Sequence, residues 1–500
     1  MNIQEAKQEI CNTLRAYNQK DEAGRYCFPR VRQRPILLLG PPGVGKTAIM
    51  EQAAEACGVG LVSYTMTHHT RQSALGLPRI ETRIYDGKEM QITEYTLSEI
   101  IASVYDCIEQ TGNREGILFL DEINCVSETL APAMLQFLQN KTFGSQPVPE
   151  GWLIVAAGNP PEYNKSVREF DIVTLDRVRR ITIEPDLDAF LSYAAERQLH
   201  GAILSYLTIK PDRFYRIEQN AAGKEFVTAR GWEDLSAILQ SYESLDIPVT
   251  ESLVGEYLQK ADVARDFAAY YRLYCKYGTD YGIDGILAGD PSGYEKKVEM
   301  AKHGGFEERF TVVNLMLEGL LRGFSRYRWE DGTVTRLHEA LQIIKRELTG
   351  DFVGLETQIA RRRHGMTVKQ ESGLLTREAV REETWVLREL EDYNIRLKEA
   401  HIRNGDAALD ALRGYFSEET AKRAGTVEAM QAQLCRAFAF LEAGFGEGQE
   451  MVLFLSGLTR SPRAMDYISR HGCPEYLRRS QALLYKKQEL ALQEACKAVL

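Results

Sequence analysis

The chain has 500 residues, which as a soft prior allows about three domains of roughly 150 residues each. Hydrophobic residues make up 44% and charged residues 26%, a balance that excludes wholesale disorder and fibrous classes. Lysine and arginine number 61 against 71 aspartates and glutamates, a net charge of −10, so nothing draws the whole chain toward nucleic acid or anionic lipid. No apolar run approaches the ~18 residues of a bilayer span, and the polar start MNIQEAKQEI lacks the apolar core of a signal peptide. The nine cysteines are scattered without a C-x-x-C pair. Neither a zinc site nor a disulfide framework is expected, and a reducing, cytoplasmic setting without membrane association follows.

Residues 1–34 read as a short helix and a charged lead-in ending at Pro35. From 35 to 184, five short apolar runs (PILLL, LVSYT, ILFLD, WLIVAA and RITIE) are separated by helix-length segments. Such alternation predicts βαβ units and a largely parallel sheet. The runs are apolar without strict alternation, as strands covered by helices on both faces must be. One segment breaks the rhythm. IETRIYDGKEMQITEYT, residues 80–96, is rich in β-branched residues around Asp86-Gly87, a pair suited to the positive φ angles of a tight hairpin turn. From 185 onward the pattern is mostly helical, with breaks near 276–292 and 303–305. Tyr270, Tyr271, Tyr274, Tyr277 and Tyr281 recur at three- and four-residue spacing, which reads first as a packed helical face and second as a partner surface. The basic cluster ARRRHG, 360–365, reads as a solvated helix end. Residues 374–403 read as one long charged helix with a stripe at Val380, Leu387, Leu390 and Leu397. The adjacent His68 and His69 lack metal-ligand spacing and read as a solvated or capping pair.

Three motifs carry chemistry. GPPGVGKT comprises Gly40, Pro41, Pro42, Gly43, Val44, Gly45, Lys46 and Thr47, placed directly between an apolar strand and the helical pattern TAIMEQAAEA. It fits G-x-x-x-x-G-K-[ST], whose glycines let backbone N–H groups wrap a phosphate at a helix N-terminus. In this pattern Lys46 supplies charge to the β- and γ-phosphates and the Thr47 hydroxyl is a Mg²⁺ ligand. The second motif, ILFLDEIN, ends an apolar run on Asp121 and Glu122, where open α/β sheets place ligands. Asp121 would hold Mg²⁺, and Glu122 would orient and deprotonate the attacking water. The third, AAGNP, ends the next run at Asn159, whose amide can both donate and accept; alone it is an Asn-Pro turn.

In this order the motifs resemble an AAA+ ATPase. DEIN, the helix AMLQFLQ (133–139), AAGNP and LDR (175–177), with a hairpin before the next helix, resemble the MoxR-type, dynein-related branch. RQSALGL (71–77) is similar to the branch's lead-in to that insert, with Ala74 where an acid is common. The resemblance spans about residues 30–245. It implies Asn159 as first sensor, Arg177 as an arginine finger serving a neighbouring subunit, and Arg230 of TARGWEDL as second sensor. Arg179 and Arg180 are alternatives for the finger, and Arg177 could instead form a surface ion pair. Arg230 could instead stabilise a helix start or pack on Trp232. The resemblance thus implies ATP and Mg²⁺ as ligands and a homo-oligomeric ring, a hexamer, with the ATP site at the subunit interface. It also implies a chaperone-like role on client proteins, some with a von Willebrand factor A domain.

The expected architecture is α/β: a P-loop AAA+ core with a parallel sheet between helices, a small helical lid and a mostly helical C-terminal extension. The boundaries are 1–34, 35–184, 185–245 and 246–500. No phosphate-binding or acid–base motif occurs beyond about 350, and that part is expected to serve partner binding or assembly. Two other readings stay open: a nucleotide-dependent switch with little turnover, and a DNA- or GTP-directed AAA+ subunit. The acidic charge and the lack of a helix-turn-helix or zinc signal weigh against nucleic acid.

Overall fold

Helix α1 (Ile3–Tyr17) starts at a capping box. The Asn2 side chain accepts from Glu5 N, and the Glu5 carboxylate accepts from Asn2 N, so two of the four otherwise unpaired N–H groups are satisfied. The computed structural model describes residues 1–68, 71–143, 146–163, 170–220, 223–347, 355–371, 377–402 and 404–481. His69 and Cys496 lie outside them, as does 164–169 in the approach to LDR; the eight described cysteines are free. The described residues pack as two units, one of Met1–Ala189 with Thr228–Gly231 and Glu371, the other of Phe190–Val227, Trp232–Gln370 and the described residues from 377 onward.

In the first unit the strands are β1 (Ile36–Leu39), β2 (Gly60–Thr65), β3 (Pro78–Tyr85), β4 (Lys88–Tyr95), β5 (Gly116–Asp121), β6 (Thr142–Phe143), β7 (Gln146–Pro147), β8 (Trp152–Gly158) and β9 (Arg179–Thr182). The helices are α2 (Ala48–Cys57), α3 (Arg71–Leu75), α4 (Glu99–Thr111), α5 (Ala131–Asn140), α6 (Ile172–Arg177) and α7 (Leu187–Arg197), the last crossing into the second unit. Five strands form a parallel sheet in the order β2-β5-β8-β1-β9. The sheet strands are the five apolar runs. Its two central partners, β5 and β8, are almost wholly buried, as a sheet covered on both faces requires.

β3 and β4 pair antiparallel through Tyr85↔Lys88. Asp86 (φ 54°) and Gly87 (φ 75°) form the two-residue turn, so the hairpin spans 78–95, two residues earlier at its start than the sequence suggested. Cross-strand register puts Ile80, Ile84 and Tyr95 on one face and Arg79, Arg83 and Glu94 on the other, and Arg83 pairs with Glu94.

The second unit is not wholly helical where a helical lid was expected. β10 (Arg216–Asn220) and β11 (Gly223–Val227) form an antiparallel hairpin between α8 (Gly201–Ile209) and α9 (Ala229–Ser244). The hairpin is short and charged, with Ile217 opposite Phe226 as its one apolar pair, too little alternation to stand out. The remaining helices are α10 (Glu251–Tyr257), α11 (Ala261–Tyr281), α12 (Ile283–Ala288), α13 (Tyr294–His303), α14 (Phe306–Glu347), α15 (Glu356–Glu371), α16 (Arg377–Glu399), α17 (Gly405–Phe445), α18 (Gln449–Arg460) and α19 (Pro462–His471). Tyr270, Tyr271, Tyr274 and Tyr281 of α11 are buried, the packed face of the first reading. On α16, Leu387, Leu390 and Leu397 are buried and Val380 is half-buried. ARRRHG lies inside α15 instead of ending a helix. There Arg362 forks onto both oxygens of buried Glu383, and Arg363 pairs with Glu391.

No packing boundary separates a lid ending at 245 from a later extension. The 42-residue α14 shares one apolar cluster with α17, α18 and α19, including Met316, Leu320, Phe324, Phe438, Phe454 and Tyr467. The region beyond 350 therefore completes the core of this unit, whatever else it binds. A chain ending at residue 350 is expected to expose that cluster, aggregate and lose cooperative unfolding of its helices. Circular-dichroism melting and size-exclusion chromatography of the truncated protein check this; a sharp, monomeric transition would contradict it.

Candidate functional site

All five strands of the sheet run the same way, so their carboxyl ends lie along one edge, and β8 stands between β5 and β1. Register pairs Leu39 with Gly158 and Leu120 with Ala156. The loop after β1, Asn159 after β8, and Asp121-Glu122 at the end of β5 are thereby neighbours, where ligands bind in open α/β sheets.

Gly40–Thr47 is the loop from β1 into α2. Gly43 and Gly45 have φ of 73° and 93°, left-handed values that glycine alone adopts without strain. A Cβ on Gly43 would stand 2.8 Å from Thr228, and one on Gly40 would stand 2.8 Å from the Ile183 carbonyl. Pro41 and Val44 are buried, Pro42 is half-buried and Thr47 is exposed. The loop is further tied by Arg230 N donating to the Gly43 carbonyl at 3.3 Å.

Lys46 is 9% exposed. Its Nζ donates to the Gly40 carbonyl (2.7 Å), the Pro41 carbonyl (3.0 Å) and Asn159 Oδ1 (2.8 Å), which engages all three ammonium protons. Burial pulls its pKa down to about 8; Asp121 and Glu122 oppose the fall and Arg230 adds to it. With Asn159 Oδ1 accepting from Lys46, the Asn159 NH₂ remains for a phosphate oxygen or water. Thr47 Oγ1 donates to Asp121 Oδ2 at 2.9 Å, and Glu122 N donates to Asp121 Oδ1 at 2.9 Å. Glu122 holds left-handed backbone, φ 55° and ψ 37°, a conformation costing a non-glycine residue about 1–2 kcal/mol. The kink turns the chain sharply after β5 and keeps the two carboxylates together at the sheet edge.

A residue not singled out from sequence joins the constellation. Asn124 is buried, and its Nδ2 donates to the Asn159 carbonyl at 2.8 Å, joining the loops after β5 and β8. A Cβ on Gly158 would meet Asn124 Oδ1 at 2.5 Å, so glycine there makes room for the bridge. The only sequence signal was its place three residues after Asp121. Asn124→Ala is expected to lower turnover about five- to tenfold, the worth of one neutral hydrogen bond of about 1 kcal/mol, with nucleotide affinity nearly unchanged. Steady-state kinetics and a binding titration on the variant check both halves.

Arg177 is not part of this cluster. It ends α6, is exposed, and precedes β9, whose first residue, Arg179, pairs with Ile36 at the far end of β1. The four residues of β9 put about 13 Å between it and the phosphate-loop edge. The three arginines also separate. Arg179 pairs with Glu9, and its NH1 donates to Thr13 Oγ1 at 2.6 Å, whereas Arg177 and Arg180 are exposed. Among the described residues no group of three or more His, Cys, Asp or Glu side chains could hold a metal on its own.

The donor set still suits Mg²⁺ shared with phosphate: a hydroxyl and a carboxylate in contact, hard oxygen ligands for a cation that keeps several waters. The glycine-lined loop and buried Lys46 suit the phosphates. Fold and site together define a P-loop nucleotide-binding domain. Residues 35–178 match the AAA domain family, dynein-related subfamily, and this segment is an AAA P-loop domain. No curated protein matches the chain. Among solved structures, a "putative ATPase" from Cytophaga hutchinsonii ATCC 33406 is 17% identical, with a TM-score of 0.24. The match covers 39% of this chain and 50% of that one. No described helix is long and apolar enough to cross a membrane.

Proposed function

We propose that the chain is a Mg²⁺-dependent ATPase of the MoxR-type branch, working in the cytoplasm as a homo-oligomeric ring, a hexamer, that remodels or matures client proteins. The observation that carries the ATPase reading is Lys46 held between loop carbonyls and Asn159, beside the Thr47–Asp121 pair. Lys46 holds the β- and γ-phosphates, and the loop N–H groups orient them. Thr47 and Asp121 would hold the metal, which would supply positive charge against the phosphates. Glu122 accepts the proton of the attacking water, which Asn159 positions. Arg230 lies close enough to act on Lys46 electrostatically and adds a second cation for phosphate. Arg177 is exposed and remote from its own phosphate loop, which favours a site completed by a neighbouring copy. A client with a von Willebrand factor A domain is carried over from the family resemblance.

Purified protein is expected to release phosphate from ATP continuously with Mg²⁺, to stop on chelation by EDTA, and to sediment as a larger species with nucleotide. Binding without sustained release would leave a nucleotide switch in its place.

A pH profile follows from Lys46. The protonated lysine binds phosphate, so the group must be charged in the complex. With a pKa of about 8 in the free protein, affinity is greatest below pH 8 and falls as pH rises above it. The limit is one logarithm per pH unit, because binding then takes up one proton. The terminal phosphate, with a second ionisation near pH 6, is already fully charged in this window. Nucleotide titrations from pH 7 to 9.5 at fixed free Mg²⁺ test it; a flat profile would place the lysine pKa above the range.

A further inference from the structure

Within the helical unit, residues of α8, α9, α14 and α18 and of the end of α7 surround a pocket of about 580 Å³, inside the ~300–1,000 Å³ of small-ligand sites. Six leucines line it, among them Leu204, Leu317 and Leu453. Glycine at 457 lets α18 come close to α14, since a Cβ there would overlap Leu317. Two carboxylates, Glu243 and Glu318, and the amide of Asn314 stand among these apolar walls.

We infer that this pocket is a second small-molecule site, built for an amphipathic organic ammonium whose apolar body packs on the leucines and whose amine bonds Glu243 and Asn314. The inference is independent of the phosphate loop. Three observations carry it. First, Glu243 receives both of its hydrogen bonds on one oxygen. Oε1 accepts from His200 Nε2 at 2.9 Å and from the Tyr271 hydroxyl at 2.8 Å. Among the described residues none reaches Oε2. His200 Nδ1 accepts from Ala202 N at 3.1 Å, so Nε2 carries the ring proton and both donors to Glu243 are uncharged. Burial pushes the Glu243 carboxyl up, but these bonds and nearby Arg322 more than offset it, and its pKa lies below the ordinary glutamate value. It is therefore an anion at neutral pH. Second, the cations beside it are already engaged or outnumbered. Arg322 donates to Glu318 at 3.3 Å and to Asp284, outside the lining, at 2.8 Å. Glu318 also accepts from Tyr274. With Arg460, two arginines stand against Glu243, Glu318 and Asp284, which leaves one negative charge. Third, Asn314 Nδ2 donates to Ser205 Oγ at 3.0 Å and to the Phe310 carbonyl at 2.9 Å. Both amide protons are spent, and Oδ1 is left as an acceptor. An ammonium brings three donors and no acceptor. An anionic ligand would meet Glu243 with like charge. An uncharged apolar one would strip water from its carboxylate and give nothing in return.

Calorimetry on the full-length protein tests this with three ligands that share one ring and differ in the head group: tryptamine, tryptophol and indole-3-acetate. Tryptamine is expected to bind saturably, about tenfold or more tighter than either of the others, the worth of a charge-assisted hydrogen bond. Glu243→Gln keeps the size and an acceptor for His200 and Tyr271, and should bring tryptamine down to the level of tryptophol. Its side chain is 46% exposed, so the fold survives the change. Ala195→Phe sets a ring into the pocket from α7 and should abolish binding of both, whereas Lys46→Ala should leave both unchanged. No saturable binding of tryptamine up to about millimolar concentration would overturn the inference. Equal affinity for all three ligands would also overturn it, since the head group would then go unread. So would tryptamine binding that survives Glu243→Gln undiminished or persists in Ala195→Phe. Should Glu243→Gln fail to fold, the comparison of the three ligands and Ala195→Phe still decide.

Discussion

Lys46→Ala is expected to weaken nucleotide binding about 100-fold, while Glu122→Gln leaves affinity within about twofold and stops hydrolysis. The lysine is a buried cation held by two loop carbonyls and Asn159, and a charge-assisted hydrogen bond to phosphate is worth about 1.5–3 kcal/mol. Its removal also frees Asn159 Oδ1. The backbone N–H of Glu122 bonds Asp121, and the role proposed for its carboxylate is on the attacking water, a step worth about 10²–10⁴ in rate. The amide of glutamine keeps the size and cannot take the proton. Affinity by calorimetry and turnover by phosphate release, on both variants, separate the two roles. Near-normal turnover in Glu122→Gln would remove it from the chemistry, and unchanged affinity in Lys46→Ala would remove the loop from the site.

Arg177→Ala is expected to bind ATP normally and hydrolyse it about 10³-fold more slowly, the lower end of what arginine fingers contribute. The sheet puts Arg177 at the edge opposite its own phosphate loop, so any help must reach a neighbour's site. An Arg177→Ala subunit keeps an intact loop, and a Lys46→Ala subunit keeps an intact finger. Mixed in equal amounts, the two inactive proteins are expected to regain partial turnover at mixed interfaces. Arg180→Ala serves as the comparison, because Arg180 is also exposed, while Arg179 is held by Glu9 and Thr13 of its own chain. Mixed oligomers without rescue would rule out a finger at Arg177. Loss of turnover in Arg180→Ala alone would move the role there.

The phosphate loop was legible from sequence because its chemistry is local. Gly40–Thr47 is one contiguous segment, and its apolar approach and helical exit are printed beside it. The five strands were legible because parallel strands buried on both faces are apolar throughout, and the hairpin because Asp86-Gly87 accepts positive φ. Sequence order did not reveal strand order. That β8 lies between β5 and β1, bringing Asn159 to Lys46 and Asn124 to Asn159, depends on pairings between segments 113 and 35 residues apart. Arg177, Arg179 and Arg180 are one residue type in one short segment. Only a helix 170 residues earlier, bearing Glu9, distinguishes Arg179 from the others. The charged strands β10 and β11, the ion-paired run in α15 and the leucine-lined pocket beside α14 were hidden for the same reason. A periodic pattern reports which side of an element is buried. What that side meets is fixed by distant segments, and the side-chain partners that decide a charge's role exist only once those segments have packed.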